Sequence, residues 1–142
     1  MIRAILLLAG LAGAQVAAAQ GTEPGGALRI ELNNAATLDG GSCQLTYVAV
    51  NETDRALDQL AYQAAFFDGT GVVRRLLVLE FGALTPGQTR VVLFNLPDLP
   101  CEDVSRILVN DLARCDVAGG EPSVMCLTAL DAASRTDIQF GL

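Results

Sequence analysis

Four cysteines follow an N-terminal segment that has the features of a secretory signal peptide. Arg3 gives this segment a positive start, residues 4–14 are uncharged and largely apolar, and residues 17–19 form an A-x-A cleavage site. The apolar stretch is shorter than the roughly 20 residues that a membrane-spanning helix needs. We therefore predict a cleaved signal peptide over residues 1–19 and a periplasmic or secreted mature chain with no membrane span.

The predicted export of the chain determines the oxidation state that we expect for its cysteines. They are Cys43, Cys101, Cys115 and Cys126. The 57, 13 and 10 residues between them lack the short C-x₂₋₄-C spacing of zinc sites, and no C-x-x-C motif is present for thiol redox chemistry. In an oxidising compartment we therefore expect two disulfides and no bound metal.

Composition bounds the size of the fold and the kinds of partner. Removal of residues 1–19 leaves 123 residues with a net charge of −8, from 16 acidic residues against eight Arg. This length fits one domain with a real hydrophobic core, which we place at residues 27–142 after a flexible leader at 20–26. The acidic surface disfavours binding to nucleic acid. The Arg-only basic residues and the abundance of Ala, Leu and Val fit a GC-rich bacterial genome.

Alternation of apolar and polar residues, broken by turn signals every 8–15 residues, predicts an all-β fold. The predicted strands are residues 28–33, 43–51, 57–68, 72–81, 90–94 and 136–140. Residues 102–112 match both a helix and, more loosely, a strand. We interpret them as a helical turn at 102–103 followed by a strand from about Arg106. These elements indicate an antiparallel β-sandwich of about seven strands.

Three segments carry a resemblance to a known family. Residues 48–53 hold an Asn-containing turn, residues 64–71 an aromatic–Asp pair and a Gly turn, and residues 84–89 a Leu-x-Pro-Gly turn. Together they resemble the immunoglobulin-like, FxLYD-type modules of exported bacterial proteins, although Ala-Ala-Phe-Phe-Asp only approximates the FxLYD string. The chain also resembles small uncharacterised exported bacterial proteins with the same cysteine placement. The resemblance implies an immunoglobulin-like sandwich and no particular function.

The order of the strands predicts how the cysteines pair. Four cysteines allow three pairings. If strand directions alternate in a seven-strand sandwich, the second and sixth strands run the same way. Cys43 at the start of the second then lies near Cys101 before the sixth, and Cys115 lies near Cys126 at the other end. We therefore predict the disulfides Cys43–Cys101 and Cys115–Cys126.

The chain contains neither His nor Lys, which excludes several kinds of catalysis. A Ser-His-Asp or Cys-His site and a Lys Schiff base cannot be built from these residues. Carboxylates remain, and Asp39 or the pair Glu102 and Asp103 are the candidates for a cation site or for acid–base catalysis. A solvated loop and the charge preference of a helix start explain them more simply. We predict no catalytic residue and no cofactor.

One aromatic residue falls outside the expected core. Phe67 lies on the opposite face of its strand from Tyr62 and Phe66, so we predict it as a contact with an unknown protein partner in the envelope. Arg74 and Arg75 are interpreted as charges that protect an edge strand from aggregation. The sequence thus favours a non-catalytic binding or structural module. The alternatives are a small carboxylate-dependent hydrolase, a cation-binding protein or a small-molecule carrier.

Overall fold

Two β-sheets packed face to face make up residues 25–142, the part of the chain that the computed structural model describes. The predicted signal peptide at residues 1–19 and most of the predicted leader lie outside the described residues. The all-β sandwich expected from the sequence is confirmed.

The sandwich contains nine strands within residues 25–142. They are β1 (Leu28–Thr37), β2 (Cys43–Asn51), β3 (Leu57–Phe67), β4 (Val73–Glu80), β5 (Thr89–Leu96), β6 (Arg106–Val117), β7 (Glu121–Pro122), β8 (Leu130–Ser134) and β9 (Gln139–Gly141). The first sheet has the order β5-β2-β1-β8, and the second has the order β4-β3-β6-β7, with β9 also paired to β6. The sequence indicated an antiparallel sandwich of about seven strands; the structure has nine, and its sheets are mixed because the pairs β1–β8 and β6–β9 are parallel while the other pairs are antiparallel.

The core between the sheets follows the alternation seen in the sequence. On β2, every second residue from Cys43 to Ala49 is fully buried; these are Cys43, Leu45, Tyr47 and Ala49. The Tyr47 ring makes edge-on contacts with Phe81, Phe94 and Phe140, with centroids 5.7, 5.8 and 5.1 Å away. Such aromatic packing adds stability beyond the burial of area alone. The centre of the sandwich is therefore an aromatic cluster to which both sheets contribute side chains.

The two buried tyrosine hydroxyls have different surroundings. Tyr62 donates a hydrogen bond to the carbonyl oxygen of Cys126 at 2.6 Å. The Tyr47 hydroxyl finds no hydrogen-bond partner within residues 25–142. Burial raises the pKa of both phenols, so both stay neutral. Tyr62 thus ties the second sheet to the segment after β7, whereas Tyr47 contributes packing alone.

Three segments differ from the sequence prediction. The first strand was predicted to end at residue 33, but a β-bulge at Asn33 lets β1 continue to Thr37 against β2. No strand or helix was predicted between Cys115 and Cys126, where the structure has β7 and the start of the short helix α1 (Met125–Thr128). The alternation did not indicate β8, whose only large apolar residue is Leu130.

Residues 102–112 fold as a helical turn followed by a strand. A 3₁₀ turn at Cys101–Asp103 leads into β6 from Arg106. Pro100 precedes the turn in an extended conformation, and the two acidic residues lie within it. The prediction of a helical turn followed by a strand is confirmed.

A buried asparagine organises the passage from β4 to β5. The Asn51 amide donates hydrogen bonds to the carbonyl oxygens of Arg55 at 2.8 Å and Leu84 at 3.0 Å. Its oxygen accepts from the backbone N–H and the hydroxyl of Thr53, at 3.0 and 2.6 Å. Leu84 lies on the segment that crosses from the second sheet to the first. Asn51 therefore positions the two consecutive strands that form one side of the sandwich.

Candidate functional site

The two disulfides pair as predicted. Cys43–Cys101 joins the start of β2 to the 3₁₀ turn, with Cα atoms 4.7 Å apart, and Cys115–Cys126 joins β6 to α1, with Cα atoms 6.0 Å apart. Two disulfides fit an extracellular or periplasmic protein. Residues 25–142 include no helix that is both long and apolar enough to cross a membrane.

Glu102 lines the surface pocket that best fits the acid-based hypotheses. This pocket of about 520 Å³ lies between the end of β1, the 3₁₀ turn and the connection from β8 to β9, and Arg135 and Asp137 also line it. Its charged groups already have partners in part: Glu102 accepts a hydrogen bond from Thr37 Oγ1 at 2.7 Å, and Arg135 donates to Glu31 at 2.7 Å. The other predicted acids, Asp39 and Asp103, do not line it. The structure does not bring the three candidate carboxylates together in this pocket.

The electrostatics of the carboxylates oppose a general-acid role. Hydrogen bonds from Asn33 and Arg135 lower the pKa of Glu31, and the hydrogen bond from Thr37 lowers that of Glu102. A carboxyl group that donates a proton near neutral pH needs the opposite shift. No group of three or more Cys, Asp or Glu side chains within residues 25–142 is arranged to hold a metal ion.

An apolar strip covers part of the outer face of the second sheet. Cross-strand neighbours share a face, so the pairing of β4, β3 and β6 defines its members. We use the name apolar strip for Val73, Leu76 and Val78 on β4, Phe67 on β3 and Leu108 on β6. The three β4 side chains are 50%, 54% and 50% exposed. Contiguous exposed apolar residues of this kind mark interaction surfaces more often than isolated ones.

Phe67 lies at one end of the apolar strip, on the outer face that the sequence predicted for it. Its ring is half-buried, and the Arg106 guanidinium carbon lies 5.6 Å from the ring centroid. A cation over an aromatic face at this distance is attracted to it. Phe67 is therefore a half-buried apolar group with a cation over its ring, rather than a fully exposed one.

A β-bulge places Val73 in the apolar strip. Strict alternation along β4 would place Val73 on the same face as Leu77 and Leu79. In the structure Phe66 pairs with Arg75 and Phe67 with Val73, which leaves Arg74 as an extra residue and turns Val73 outward. Strict alternation fails at Val73 because a bulge reverses the faces beyond it.

The turn before β4 is held by one carboxylate. Asp68 accepts hydrogen bonds from the Thr70 hydroxyl, from the backbone N–H of Thr70 and from that of Val72, at 2.7, 2.9 and 3.1 Å. These bonds, with the Thr70 hydroxyl first, lower the pKa of Asp68 to about 2. Gly71 adopts a φ of 84°, a conformation that favours glycine. The predicted Gly turn is confirmed, and its rigidity fixes the start of β4.

The exposed apolar residues of β4 were missed as site residues, although the sequence contained a signal. By alternation, Leu76 and Val78 share a face with the charged residues Arg74 and Glu80. Two aliphatic side chains beside charges on one face indicate that this face is exposed.

Comparison of the chain with protein-family models, with curated proteins and with solved structures gave no match.

Proposed function

We propose that the mature chain is a non-catalytic binding module of the bacterial envelope, and that it recognises a partner protein through the apolar strip. The observation that carries this proposal is the exposure of half or more of Val73, Leu76 and Val78 beside the half-buried ring of Phe67. Aromatic anchors are enriched in protein-binding surfaces. The two disulfides support a periplasmic or secreted location.

The hydrolase and cation-site alternatives have weaker support. Glu102 and Asp137 share a pocket, but hydrogen bonding holds Glu102 in its charged form rather than as an acid. A catalytic pair of carboxylates needs pKa values that are pushed apart in opposite directions. The hypothesis of a cation-binding protein depends on exposed acidic residues in loops, and solvation by water is a sufficient explanation for those residues.

The test compares two sets of variants in capture from an envelope extract. Immobilised mature chain is exposed to extract after chemical cross-linking, and bound proteins are identified by mass spectrometry. We expect Phe67→Ala to lose the captured partner by about tenfold or more, as expected when an aromatic anchor is removed. Val91→Ala is the control, because Val91 is an exposed apolar residue on the outer face of the other sheet.

The isosteric acid variants test the alternatives. Asp39→Asn, Glu102→Gln and Asp103→Asn should leave both capture and the phenotype of a deletion strain unchanged. Circular dichroism verifies that each variant folds. Loss of function in one of the acid variants with a preserved fold, together with an unaffected Phe67→Ala, contradicts the proposal.

A further inference from the structure

We propose that the chain forms a dimer by antiparallel pairing of β4 with β4 of a second copy, about a twofold axis at Leu77. This goes beyond the partner proposed above, because the contact is made through the backbone edge of β4. Such pairing joins the second sheets of two copies; Leu76 and Val78 of the apolar strip then also contact the second copy, while Phe67 lies away from the shared edge.

Among residues 25–142, no strand pairs with the outer edge of β4. β4 is eight residues long and lies at the end of the second sheet, where β3 is its neighbour on one side. An edge strand of this length presents unpaired backbone groups that another strand can complete. The rigid turn at Asp68 and the crossover held by Asn51 fix both of its ends. The outer edge of β4 therefore has a defined position, to which a strand of another chain can pair.

The outer-face residues of β4 are complementary to themselves when the strand is reversed. Along the strand they are Arg74, Leu76, Val78 and Glu80, all exposed. In an antiparallel pair centred on Leu77, Arg74 faces Glu80 of the other copy and Leu76 faces Val78. The twofold axis repeats each contact, giving two ion pairs and two aliphatic pairs. Opposite charges and apolar side chains directly across a strand pair are both stabilising.

The charges select this register and direction over the alternatives. A shift of the axis by one residue to Leu76 or to Val78 places Arg74 opposite Val78 or Gly82 and leaves both charges without partners. A parallel pairing places Arg74 against Arg74 and Glu80 against Glu80, which is repulsive. Among these arrangements, only the antiparallel register at Leu77 places Arg74 opposite Glu80 and Leu76 opposite Val78, with Arg75 opposite Leu79 on the other face. The occupant that fits the outer-face residues of this edge is therefore a second copy of the chain.

Two further charge effects are compatible with the pairing. The mature chain carries −8, which opposes contact between copies in general, but β4 contributes two Arg and one Glu and so lowers this repulsion locally. Arg74 lies 3.4 Å from Asp68 in the same chain. An exposed ion pair of this kind contributes little, so its guanidinium can turn toward Glu80 of the other copy at small cost.

The neighbouring edge strand β5 provides the contrast. Its outer face also has two exposed aliphatic residues, Val91 and Leu93, but Thr89 and Asn95 flank them. These flanking side chains are uncharged, so nothing on β5 favours one register through ion pairs. We therefore assign the dimer contact to β4.

The test is the self-association of the mature, disulfide-bonded chain by sedimentation velocity, at low salt and over roughly 1 µM to 1 mM. We expect a monomer–dimer equilibrium. Glu80→Arg and Arg74→Glu should each weaken it by about tenfold or more, because each reversal creates two like-charge contacts. The double variant Arg74→Glu/Glu80→Arg should restore association. Glu121→Arg on β7 makes the same change in net charge as Glu80→Arg and should not weaken it.

A matched pair of variants distinguishes the two edges. Leu76→Arg should abolish dimer formation, whereas Leu93→Arg, at a side chain of similar exposure on β5, should leave it intact. A wild-type chain that stays monomeric throughout overturns the proposal, as does loss of the dimer in Leu93→Arg but not in Leu76→Arg. Rescue by the double charge variant excludes misfolding as the cause of the single-variant losses. Phe67→Ala should keep the dimer even where it loses the captured partner, so the two proposals can fail separately.

Discussion

The two sides of the sandwich end in different kinds of strand. On one side lie β4 and β5, each eight residues long, with aliphatic side chains that are half or more exposed. On the other side lie β7, β8 and β9, which are two, five and three residues long. There β8 packs against β9, and the Cys115–Cys126 disulfide and the Tyr62 hydrogen bond hold α1 beside β6. We refer to the first as the open side and the second as the closed side.

The contrast indicates where the chain can form contacts with other proteins. Short edge strands and covering segments are the usual means by which β-proteins prevent edge-to-edge association. The closed side uses both. Within residues 25–142, the open side has neither a short edge strand nor a covering segment. Arg74, which was interpreted from the sequence as protecting this edge, lies opposite Glu80 of a second copy in the proposed dimer. Protection of one side and exposure of the other is what a sandwich needs if it associates through a single edge.

Removal of the disulfides should have the largest effect on stability. Loop-closure entropy predicts a loss of about 4 kcal/mol in the free energy of unfolding for Cys43→Ala/Cys101→Ala, and about 3 kcal/mol for Cys115→Ala/Cys126→Ala. Urea denaturation measures both. Limited proteolysis should show new cleavage between residues 118 and 129 in the second variant, because that disulfide anchors the closed side. Equal resistance of both variants to proteolysis between residues 118 and 129 contradicts the role assigned to the Cys115–Cys126 disulfide.

Tyr62→Phe should weaken the closed side by a smaller amount. It leaves the buried carbonyl oxygen of Cys126 without its donor, at a cost of about 1–2 kcal/mol. Hydrogen exchange should increase in α1 and β8 before it increases in β4. A uniform increase over both sides would mean that the hydrogen bond has no local role.

Tyr47→Phe is the matched control and should have the opposite sign. Its hydroxyl is buried without a partner, so removal should raise the free energy of unfolding by about 1 kcal/mol. The ring contacts with Phe81 and Phe94 are retained. Chemical denaturation of the two variants in parallel decides the matter, and destabilisation by Tyr47→Phe would reveal an unrecognised partner for the hydroxyl.

Asp68 should contribute the smallest effect, on the open side. Because its pKa is lowered from 3.8 to about 2, the carboxylate stabilises the fold above pH 3.8 and this contribution is lost as the pH falls through about 2. Asp68→Asn should therefore reduce stability at neutral pH and flatten the loss of stability on acidification. Acid titration followed by circular dichroism compares the two proteins. Identical profiles contradict the importance of the turn.

The sequence determined those features that depend on local alternation. The inward residues of β2, the turn at residues 69–71 and both disulfides could be predicted, since each follows from a strand period, a turn residue or the order of strands. The bulge that turns Val73 outward could not, because a single extra residue at Arg74 leaves the alternation pattern unchanged until its partner strand is known. The parallel pairing of β8 with β1 joins residues about 100 positions apart and has no local signal.

The candidate site was only partly predictable for a similar reason. Phe67 could be placed on an outer face from its neighbours Tyr62 and Phe66. The acids Asp39, Glu102 and Asp103 lie in turns, where the backbone path, not a period, decides which side chains meet. That β4 is an edge strand depends on the order of all the strands. The self-complementary pattern of its outer face became meaningful only once that position was known.

The pairing of β4 with a second copy is tested most directly by a single introduced thiol. Leu77 lies on the proposed twofold axis, so under mild oxidation Leu77→Cys should link two mature chains through the introduced residues, with the native disulfides intact by peptide mapping. Directly opposed strand residues come within reach of a disulfide. Val92→Cys, at the centre of β5, is the control and should stay monomeric. Absence of a covalent dimer with Leu77→Cys, or equal linkage with both variants, would contradict the assignment of β4 as the interface.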